Sequence, residues 1–235
     1  MEANPLRAAV AVGRTPVQTM LGSGSAQVAR AVAQIGFDSL LLDMEHGPLT
    51  TESLYAVAPV AGACPLVRVA SPELGAMRKA VDAGVHGIVC PGVETPEQVA
   101  AVVEACSSRF RDVLAVVQIE TVRGYDHVEE ILGVPGLDAV FPGPSDLSVA
   151  FGGPPGVDYA WEEHAERLRR IADVARETGL LVGFPVNDGA QAMTVLGWGA
   201  SWVCIGYELM WMMAGGRAAL AEARDALQTT AVAGR

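Results

Sequence analysis

Lysine is almost missing from this chain of 235 residues, where Lys79 is its only instance among 16 basic residues. Enzymes that form a Schiff base need a lysine amine in the pocket. Lys79 lies inside a predicted helix over Pro72–Ala83, away from any strand end, so the sequence disfavours lysine-imine and pyridoxal phosphate chemistry. A carbanion formed by this protein would have to be stabilised in another way.

Positive charge, cysteine pairs and long apolar runs are also scarce. The net charge of −11 argues against nucleic acid and anionic membrane surfaces as partners, because both are bound through basic patches. No apolar run reaches the ~18 residues of a membrane span, and no signal-peptide pattern opens the chain. Without a CxxC spacing, the cysteines predict core packing in a protein of the reduced cytoplasm. They are Cys64, Cys90, Cys106 and Cys204.

Apolar strand-like runs alternate with helical periodicity along the whole sequence, which is typical of repeated βα units. A single (β/α)₈ TIM barrel over residues 1–235 is therefore the predicted α/β fold, and a doubly wound open sheet is the alternative. That alternative requires a glycine-rich phosphate turn, which Gly22-Ser23-Gly24-Ser25 matches only weakly. The predicted strands are Val17–Leu21, Ser39–Asp43, Leu66–Val69, Gly87–Cys90, Val113–Ile119, Leu137–Phe141, Leu180–Phe184 and Trp202–Ile205.

Two of these strands each lead into a carboxylate, Glu120 after the fifth strand and Asp146 after the sixth. In parallel α/β folds the carboxyl ends of the strands form the ligand face. Hard cations such as Mg²⁺ or Mn²⁺ favour carboxylate oxygens, with water or substrate completing the shell. The pair indicates a divalent-metal site; alternatively, Asp146 caps a turn and Glu120 is a solvated strand end.

The loop after the second strand carries a histidine and two acids, Asp43, Glu45 and His46. An imidazole titrates near ~6.5, so His46 is a candidate acid/base at neutral pH, the alternative being a surface histidine that caps the loop. The other three histidines are expected at the surface. They are His86, His127 and His164.

Arg68 stands among aliphatic residues in the third strand, where a charge has to be paired. Its planar fork suits a carboxylate. It is either a clamp for an oxo-acid oxygen or half of an internal ion pair with Glu45 or Glu120. The turn Gly143-Pro144-Ser145 offers backbone amides to the same kind of oxygen.

Asp82 lies near the C-terminal end of the helix after the third strand. In a barrel that end points away from the active face. A catalytic Asp82 would therefore have to serve the site of a neighbouring subunit, and otherwise it is an exposed helix residue.

Five motifs together resemble the HpcH/HpaI family of metal-dependent pyruvate aldolases: DMEHGP at 43–48, VRV at 67–69, DAG at 82–84, QIET at 118–121 and GPSDLS at 143–148. The resemblance implies a barrel of the phosphoenolpyruvate/pyruvate type. It also implies aldol cleavage or synthesis of a 4-hydroxy-2-oxo acid from pyruvate and an aldehyde, through an enolate stabilised by Mg, Mn or Co.

The same resemblance implies a role for each site residue. Glu120 and Asp146 would hold the metal, and Arg68 would bind pyruvate together with the turn at 143–145. His46 would act as acid/base, with Asp43 nearby and Asp82 of an adjacent subunit orienting it. The family also implies a homo-oligomer, a trimer or hexamer, with small 2-oxo acid and aldehyde substrates as partners.

The sequence departs from the family pattern at two places. A segment with the YPPxGxRG signature is absent before the fifth strand, where Ser107–Asp112 makes a short connection. After the eighth strand an aspartate-containing turn is replaced by Gly206-Tyr207-Glu208, and the bulky run Leu209–Met213 that follows is expected in the core or in a subunit contact.

These departures leave other functions open on the same fold. The missing segment motivates oxaloacetate decarboxylation or another enolate addition. A non-catalytic metabolite-binding barrel is a further alternative. A phosphosugar barrel is disfavoured because the loops after strands seven and eight lack a glycine-rich phosphate grip.

Overall fold

The computed structural model describes residues 3–62, 64–108 and 111–233, with side chains as far as 227. Eight parallel strands close in chain order into a barrel, β1 pairing with β8. The (β/α)₈ prediction is confirmed, and the open-sheet alternative is wrong. The strands are β1 Val17–Leu21, β2 Ser39–Asp43, β3 Pro65–Arg68, β4 Gly87–Cys90, β5 Leu114–Val117, β6 Ala139–Val140, β7 Leu181–Val186 and β8 Trp202–Tyr207.

Alternate strand residues face two different apolar layers, because successive side chains of a strand point to opposite sides. Leu41, Leu66 and Leu114 belong to the cluster inside the barrel, which Trp202 helps to fill. The larger cluster lies between the strands and the surrounding helices and includes Leu40, Leu42, Val67 and Ile88, as well as helical residues. Burial on both faces explains why these strands read as continuous apolar runs.

Helices surround the barrel, and side-chain caps begin several of them. Ser25 accepts the Val28 amide, and Thr95 forms a capping box with Gln98. The predicted helix start at Pro72 is wrong, because Glu73 keeps an extended backbone and serves as the N-cap. The helices are α1 Pro5–Ala11, α2 Ala26–Ala33, α3 Thr51–Val57, α4 Leu74–Asp82, α5 Pro96–Cys106, α6 Val122–Asp126, α7 Val128–Leu132, α8 Pro144–Ala150, α9 Glu162–Glu177, α10 Gly189–Gly197 and α11 Glu208–Ala233.

Helix α1 closes the end of the barrel where the strands begin. Leu6 is 2% exposed and packs on the inner cluster. The Asn4 side chain donates to the carbonyls of His86 and Asp112 at 2.6 and 3.1 Å, just before β4 and β5. Because α1 fills this end of the barrel interior, a pocket inside the barrel is expected at the opposite end, where the strands finish.

Strands β5 and β6 are shorter than predicted. Their ladder contains only the pairs Val116 with Ala139 and Val117 with Val140. Gln118 and Glu120 therefore belong to the loop that follows β5, beyond the ladder, where side chains can turn into the mouth of the barrel.

The four cysteines are free and buried, as predicted. Burial raises the pKa of Cys64 to about 11 and that of Cys90 to about 12, so these thiols stay protonated at neutral pH. One histidine prediction is wrong: His164 is buried and stacks on Trp161, with ring centroids 5.6 Å apart. Across the described ranges, every helix is too short or insufficiently apolar to cross a membrane.

Candidate active site

The third strand delivers Arg68 to the mouth of the barrel, where two acids of the β2 loop hold it. Arg68 Nε and Nη2 donate to the two carboxylate oxygens of Asp43 at 2.9 and 2.8 Å. Arg68 Nη1 lies 3.0 Å from Glu45 Oε2. The internal pair with Glu45 therefore forms, and the bidentate partner is Asp43, which the sequence reasoning had placed only near the acid/base.

Burial raises the pKa values of these two acids, whereas the charge of Arg68 lowers them. Burial disfavours the ionised form of Asp43, but the hydrogen bonds and charge of Arg68 outweigh it and hold the pKa of Asp43 below its usual range. For Glu45 burial dominates and raises the pKa despite the charge of Arg68. One guanidinium thus faces two carboxylates, and its Nη2 also lies 4.0 Å from Met20 Sδ.

Glu120 is fixed in the mouth by the backbone and side chains around it. Its Oε1 accepts the Gly92 amide at 2.7 Å, and its Oε2 accepts Gln118 Nε2 at 3.3 Å. A Cβ at Gly143 would lie 2.4 Å from Glu120 Oε2, so only glycine at 143 permits this placement. Burial, followed by repulsion from Glu45 and Asp146, raises the pKa of Glu120 to about 7.

Asp146 belongs to the first turn of α8, directly after the β6 loop. The N-cap of this helix, Gly143, makes no side-chain cap bond, so the first-turn amides of Ser145 and Asp146 have no partner within the helix. Ser145 Oγ accepts the Gly156 amide at 3.0 Å, which ties the turn to the next loop. The turn thereby presents a carboxylate and backbone donors side by side.

A cavity of about 140 Å³ lies between these groups. Arg68, Gln118 and the turn at 143–146 provide its polar lining. Drug-sized ligands fill pockets of roughly 300–1,000 Å³, so this cavity suits a molecule of a few non-hydrogen atoms. Its apolar walls come from Met20, Phe141, Pro142, Val157 and Pro185.

The donor set of the cavity fits a hard divalent cation. Glu120 and Asp146 provide two carboxylates, which repel each other in the absence of a positive charge. Gln118 Oε1 is buried and has no hydrogen-bond partner among the described residues, which leaves an oxygen for a cation or its water shell. No group of three or more His, Cys, Asp or Glu side chains in the described ranges is placed to hold a metal, so water and substrate oxygens would complete the coordination.

His46 lies at the rim of the site, outside the lining of the cavity. Its side chain is 64% exposed, and Nε2 lies 3.7 Å from Glu45 Oε2. The backbone N–H groups of Glu45 and His46 donate to Asp43 Oδ1 at 3.0 and 3.4 Å. Asp43 therefore binds Arg68 and also fixes the loop after β2, residues 44–49, which we call the histidine loop. The imidazole is thus open to solvent and lies beside Glu45, one of the two acids that hold Arg68.

Asp82 is the one predicted site residue that lies away from the others. It is the last residue of α4, and with Arg78 and Ser108 it borders a surface groove at the opposite end of the barrel. Within one chain it cannot touch the cavity, which agrees with the geometric expectation from the sequence.

The two departures from the family pattern are partly visible. Arg109 and Phe110 of the short connection before β5 lie outside the described residues. After β8, Trp211 stacks on Phe37 with centroids 5.1 Å apart, whereas Met212 and Met213 are exposed. The bulky run is therefore only partly core.

Comparison with known proteins places these observations in a family. The model of the HpcH/HpaI aldolase/citrate lyase family matches residues 19–214. A 2-keto-3-deoxy-L-rhamnonate aldolase of Klebsiella pneumoniae is 30% identical, with 88% of each chain covered. A hydroxypyruvate/pyruvate aldolase of Paraburkholderia phytofirmans is 29% identical over 94% of this chain and 98% of its own.

A solved structure shows the same architecture. An HpcH/HpaI aldolase/citrate lyase family protein of Burkholderia cenocepacia superposes with a TM-score of 0.83 at 27% identity. The match covers 94% of this chain and the whole of the other. The two relatives and the solved structure thus each match at least 88% of this chain.

Proposed function

This chain belongs to the HpcH/HpaI aldolase/citrate lyase family, and on that premise we propose that it is a divalent-metal-dependent pyruvate aldolase. Family membership makes it an enzyme of the aldolase and lyase type. The proposed reaction joins pyruvate to an aldehyde as a 4-hydroxy-2-oxo acid, or cleaves that acid. One observation carries the proposal: Arg68 and Asp146 line a cavity of about 140 Å³, which suits a molecule as small as pyruvate, and Glu120 lies directly behind its wall, against the lining residues Gln118 and Gly143.

The metal site we propose consists of Glu120 and Asp146, with Mg²⁺, Mn²⁺ or Co²⁺ as the cation. When bound there, the cation would act as a Lewis acid towards the 2-oxo acid. The two carboxylates hold and orient it, and Gln118 holds Glu120 in place through its amide. The near absence of lysine from the chain agrees with a mechanism that needs no Schiff base.

In this proposal Arg68 and the turn at 143–146 bind the substrate. Asp43 accepts from Nε and Nη2, Nη1 faces Glu45, and Nη2 also contacts Met20 Sδ, which leaves one N–H of Nη1 for a carboxylate or enolate oxygen in the cavity. Ser145 and Asp146 line the same cavity and would offer their backbone amides to it. Together they would fix the small acid in one orientation.

In this proposal His46, at the rim of the cavity, transfers the proton. We propose that its imidazole takes the hydroxyl proton of the 4-hydroxy-2-oxo acid during cleavage and returns one to the aldehyde oxygen during synthesis. Its position outside the cavity wall suits the atoms of the aldehyde partner, since the 2-oxo acid occupies the interior. Glu45, with Oε2 3.7 Å from His46 Nε2, would stabilise the imidazolium form.

An assembly of several copies would complete the site. We propose a homo-oligomer, a trimer or hexamer, in which Asp82 orients the His46 of a neighbouring subunit. The exposed apolar side chains of α11 support an assembly, since Met212 and Met213 are 66% and 50% exposed. The reduced state of the cysteines supports a cytoplasmic location.

Turnover by metal-stripped and reloaded protein tests the proposal. Pyruvate and a panel of short aldehydes would be incubated with each metal, and the 4-hydroxy-2-oxo acid product detected by mass spectrometry. We expect product only with a divalent metal. Carbon dioxide release from oxaloacetate without any aldol product would establish a decarboxylase instead, and pyruvate binding without turnover would establish a metabolite-binding barrel.

A further inference from the structure

Glu208, the first residue of α11, is a buried carboxylate outside the cavity. Only 5% of the residue is exposed. Its Oε1 accepts the amides of Gly22 and Ser23 at 3.0 and 2.6 Å, and its Oε2 accepts Gly22 N at 2.9 Å. A residue at the end of β8 thus fastens the loop that follows β1, from a distance of 185 positions in the chain.

The loop held by Glu208 is packed tightly against the histidine loop. A Cβ at Gly47 would lie 2.8 Å from the carbonyl oxygen of Gly22, and one at Gly24 would lie 3.2 Å from the Leu49 amide nitrogen. No side chain fits between the two loops at these points. Gly22 therefore contacts both partners. Its N–H donates to Glu208, and its carbonyl oxygen packs against Gly47, the residue that follows His46.

Asp43 supports the histidine loop from the other side. It accepts the amides of Glu45 and His46 through Oδ1, at the base of the loop. Gly22 limits the loop further along, at Gly47. The largely exposed His46 side chain thus stands on a short loop whose backbone is confined on both sides.

We propose that Glu208 is a positioning residue. It holds His46 at the rim of the cavity by fixing the loop after β1, which begins at Gly22 and packs against the loop that carries His46. The inference rests on the function proposed above, in which His46 transfers the proton. Glu208 does not line the cavity, so its effect on the reaction is indirect. Without its carboxylate, the Gly22 and Ser23 amides lose charge-assisted hydrogen bonds, turn towards water and withdraw the support at Gly47.

Two variants of Glu208 and one control test this role. Glu208→Ala removes both acceptor oxygens. Glu208→Gln keeps one acceptor oxygen but puts an amide donor against the Gly22 N–H. The control is Glu222→Ala, an exposed glutamate on the same helix. The readouts are amide hydrogen exchange of residues 44–49 and steady-state kinetics of the aldol reaction.

In Glu208→Ala we expect amide exchange at 44–49 to rise about tenfold, because the loop opens locally more often. We expect kcat to fall about tenfold or more, since a displacement of about 1 Å of a catalytic group costs up to a hundredfold. KM for the 2-oxo acid should change less than twofold, because Arg68 and the carboxylates of the cavity keep their contacts. Glu208→Gln should lie between Glu208→Ala and wild type, and Glu222→Ala should match wild type.

Unchanged exchange at 44–49 in both Glu208 variants would overturn the proposal, whatever the activity. Increased exchange with unchanged kcat would also overturn it, because the loop would then be fastened without consequence for His46. Exchange is measured on the folded protein without turnover. A wild-type protein that makes no aldol product would refute the proposed function, while the exchange data would still decide whether Glu208 fastens the loop.

Discussion

At the scale of single residues, the site contains two glutamates, Glu45 and Glu120, whose pKa values are raised by burial. Glu120 is the extreme case, with its pKa raised to about 7 by burial and by the repulsion of Glu45 and Asp146. A buried charge of this kind costs stability unless a partner offsets it. A divalent cation beside Glu120 and Asp146 would provide that partner, which is the physical reason for placing the metal there.

Glu120→Gln should separate metal binding from folding. The amide keeps an acceptor for the Gly92 N–H but loses the charge, so we expect the affinity for Mn²⁺ to fall at least about a hundredfold, with activity lost in parallel. The melting temperature of the metal-free protein should stay equal or rise. Titration calorimetry and thermal unfolding measure the two effects, with exposed Glu104→Gln as the control. Unaltered Mn²⁺ affinity would remove Glu120 from the metal site.

Arg68→Lys should fail although it preserves the positive charge. The guanidinium fork meets both oxygens of Asp43, and an ammonium group cannot reproduce that planar pairing. We expect kcat/KM to fall about a hundredfold or more, as when a group that binds the transition state is lost. Arg176→Lys, in an exposed ion pair with Asp173, should leave kcat/KM unchanged. Similar kcat/KM values for Arg68→Lys and wild type would show that the fork is not needed.

At the scale of secondary-structure elements, loops after the strands bring the site together, and glycines let them approach. Gly143, the N-cap of α8, lies against Glu120, and Gly47 lies where the loops after β1 and β2 meet. Each is a position where a methyl group would meet backbone or a functional side chain. These close contacts limit where Glu120 and the loop after β2 can lie.

Gly143→Ala should damage the site through Glu120. The new methyl group would lie 2.4 Å from Glu120 Oε2 and 2.7 Å from its Cβ, so Glu120 has to move. We expect activity to fall at least about tenfold and stability to drop by about 1–3 kcal/mol, as in other overpacked sites. Gly197→Ala is the matched control, since a Cβ there meets nothing within 4 Å. Wild-type metal affinity and activity in Gly143→Ala would contradict the placement of Glu120.

At the scale of the whole molecule, one end of the barrel is closed by a helix and the other end carries the candidate site. Helix α1 seals the end where the strands begin, and the candidate site occupies the end where they finish. Arg7 contacts Asp112 and Asp138 at 3.3 and 2.8 Å beside β5 and β6, which keeps α1 in place. Stability and chemistry should therefore be separable by mutation.

Leu6→Ala should destabilise the protein without altering its chemistry. The side chain is 2% exposed in the inner cluster, and removing a buried leucine of this kind costs about 2–5 kcal/mol. We expect a lower denaturant midpoint and an unchanged kcat for the folded fraction. Leu220→Ala, at an exposed leucine, should leave the midpoint nearly unchanged. A large loss of kcat in folded Leu6→Ala would show that the two ends are coupled.

Most of the barrel could be predicted from local patterns, because buried strands and capped helices leave their signature in nearby residues. Strand ends likewise placed Glu120, Asp146 and Arg68 at one edge. Contacts between distant segments left no such signal. The anchoring of Gly22 by Glu208 and the burial of His164 beside Trp161 depend on the closed barrel, and the short β5–β6 ladder depends on pairing between neighbours.

The most direct test of the whole account is deuterium exchange into the methyl group of pyruvate in buffered heavy water. Protein would be stripped of metal and then reloaded with Mg²⁺, Mn²⁺ or Co²⁺. We expect exchange with a divalent metal and none without it, and Glu120→Gln should abolish it. Exchange that is absent with every metal would contradict enolate chemistry on pyruvate, and exchange that persists in metal-free protein would contradict the metal's role.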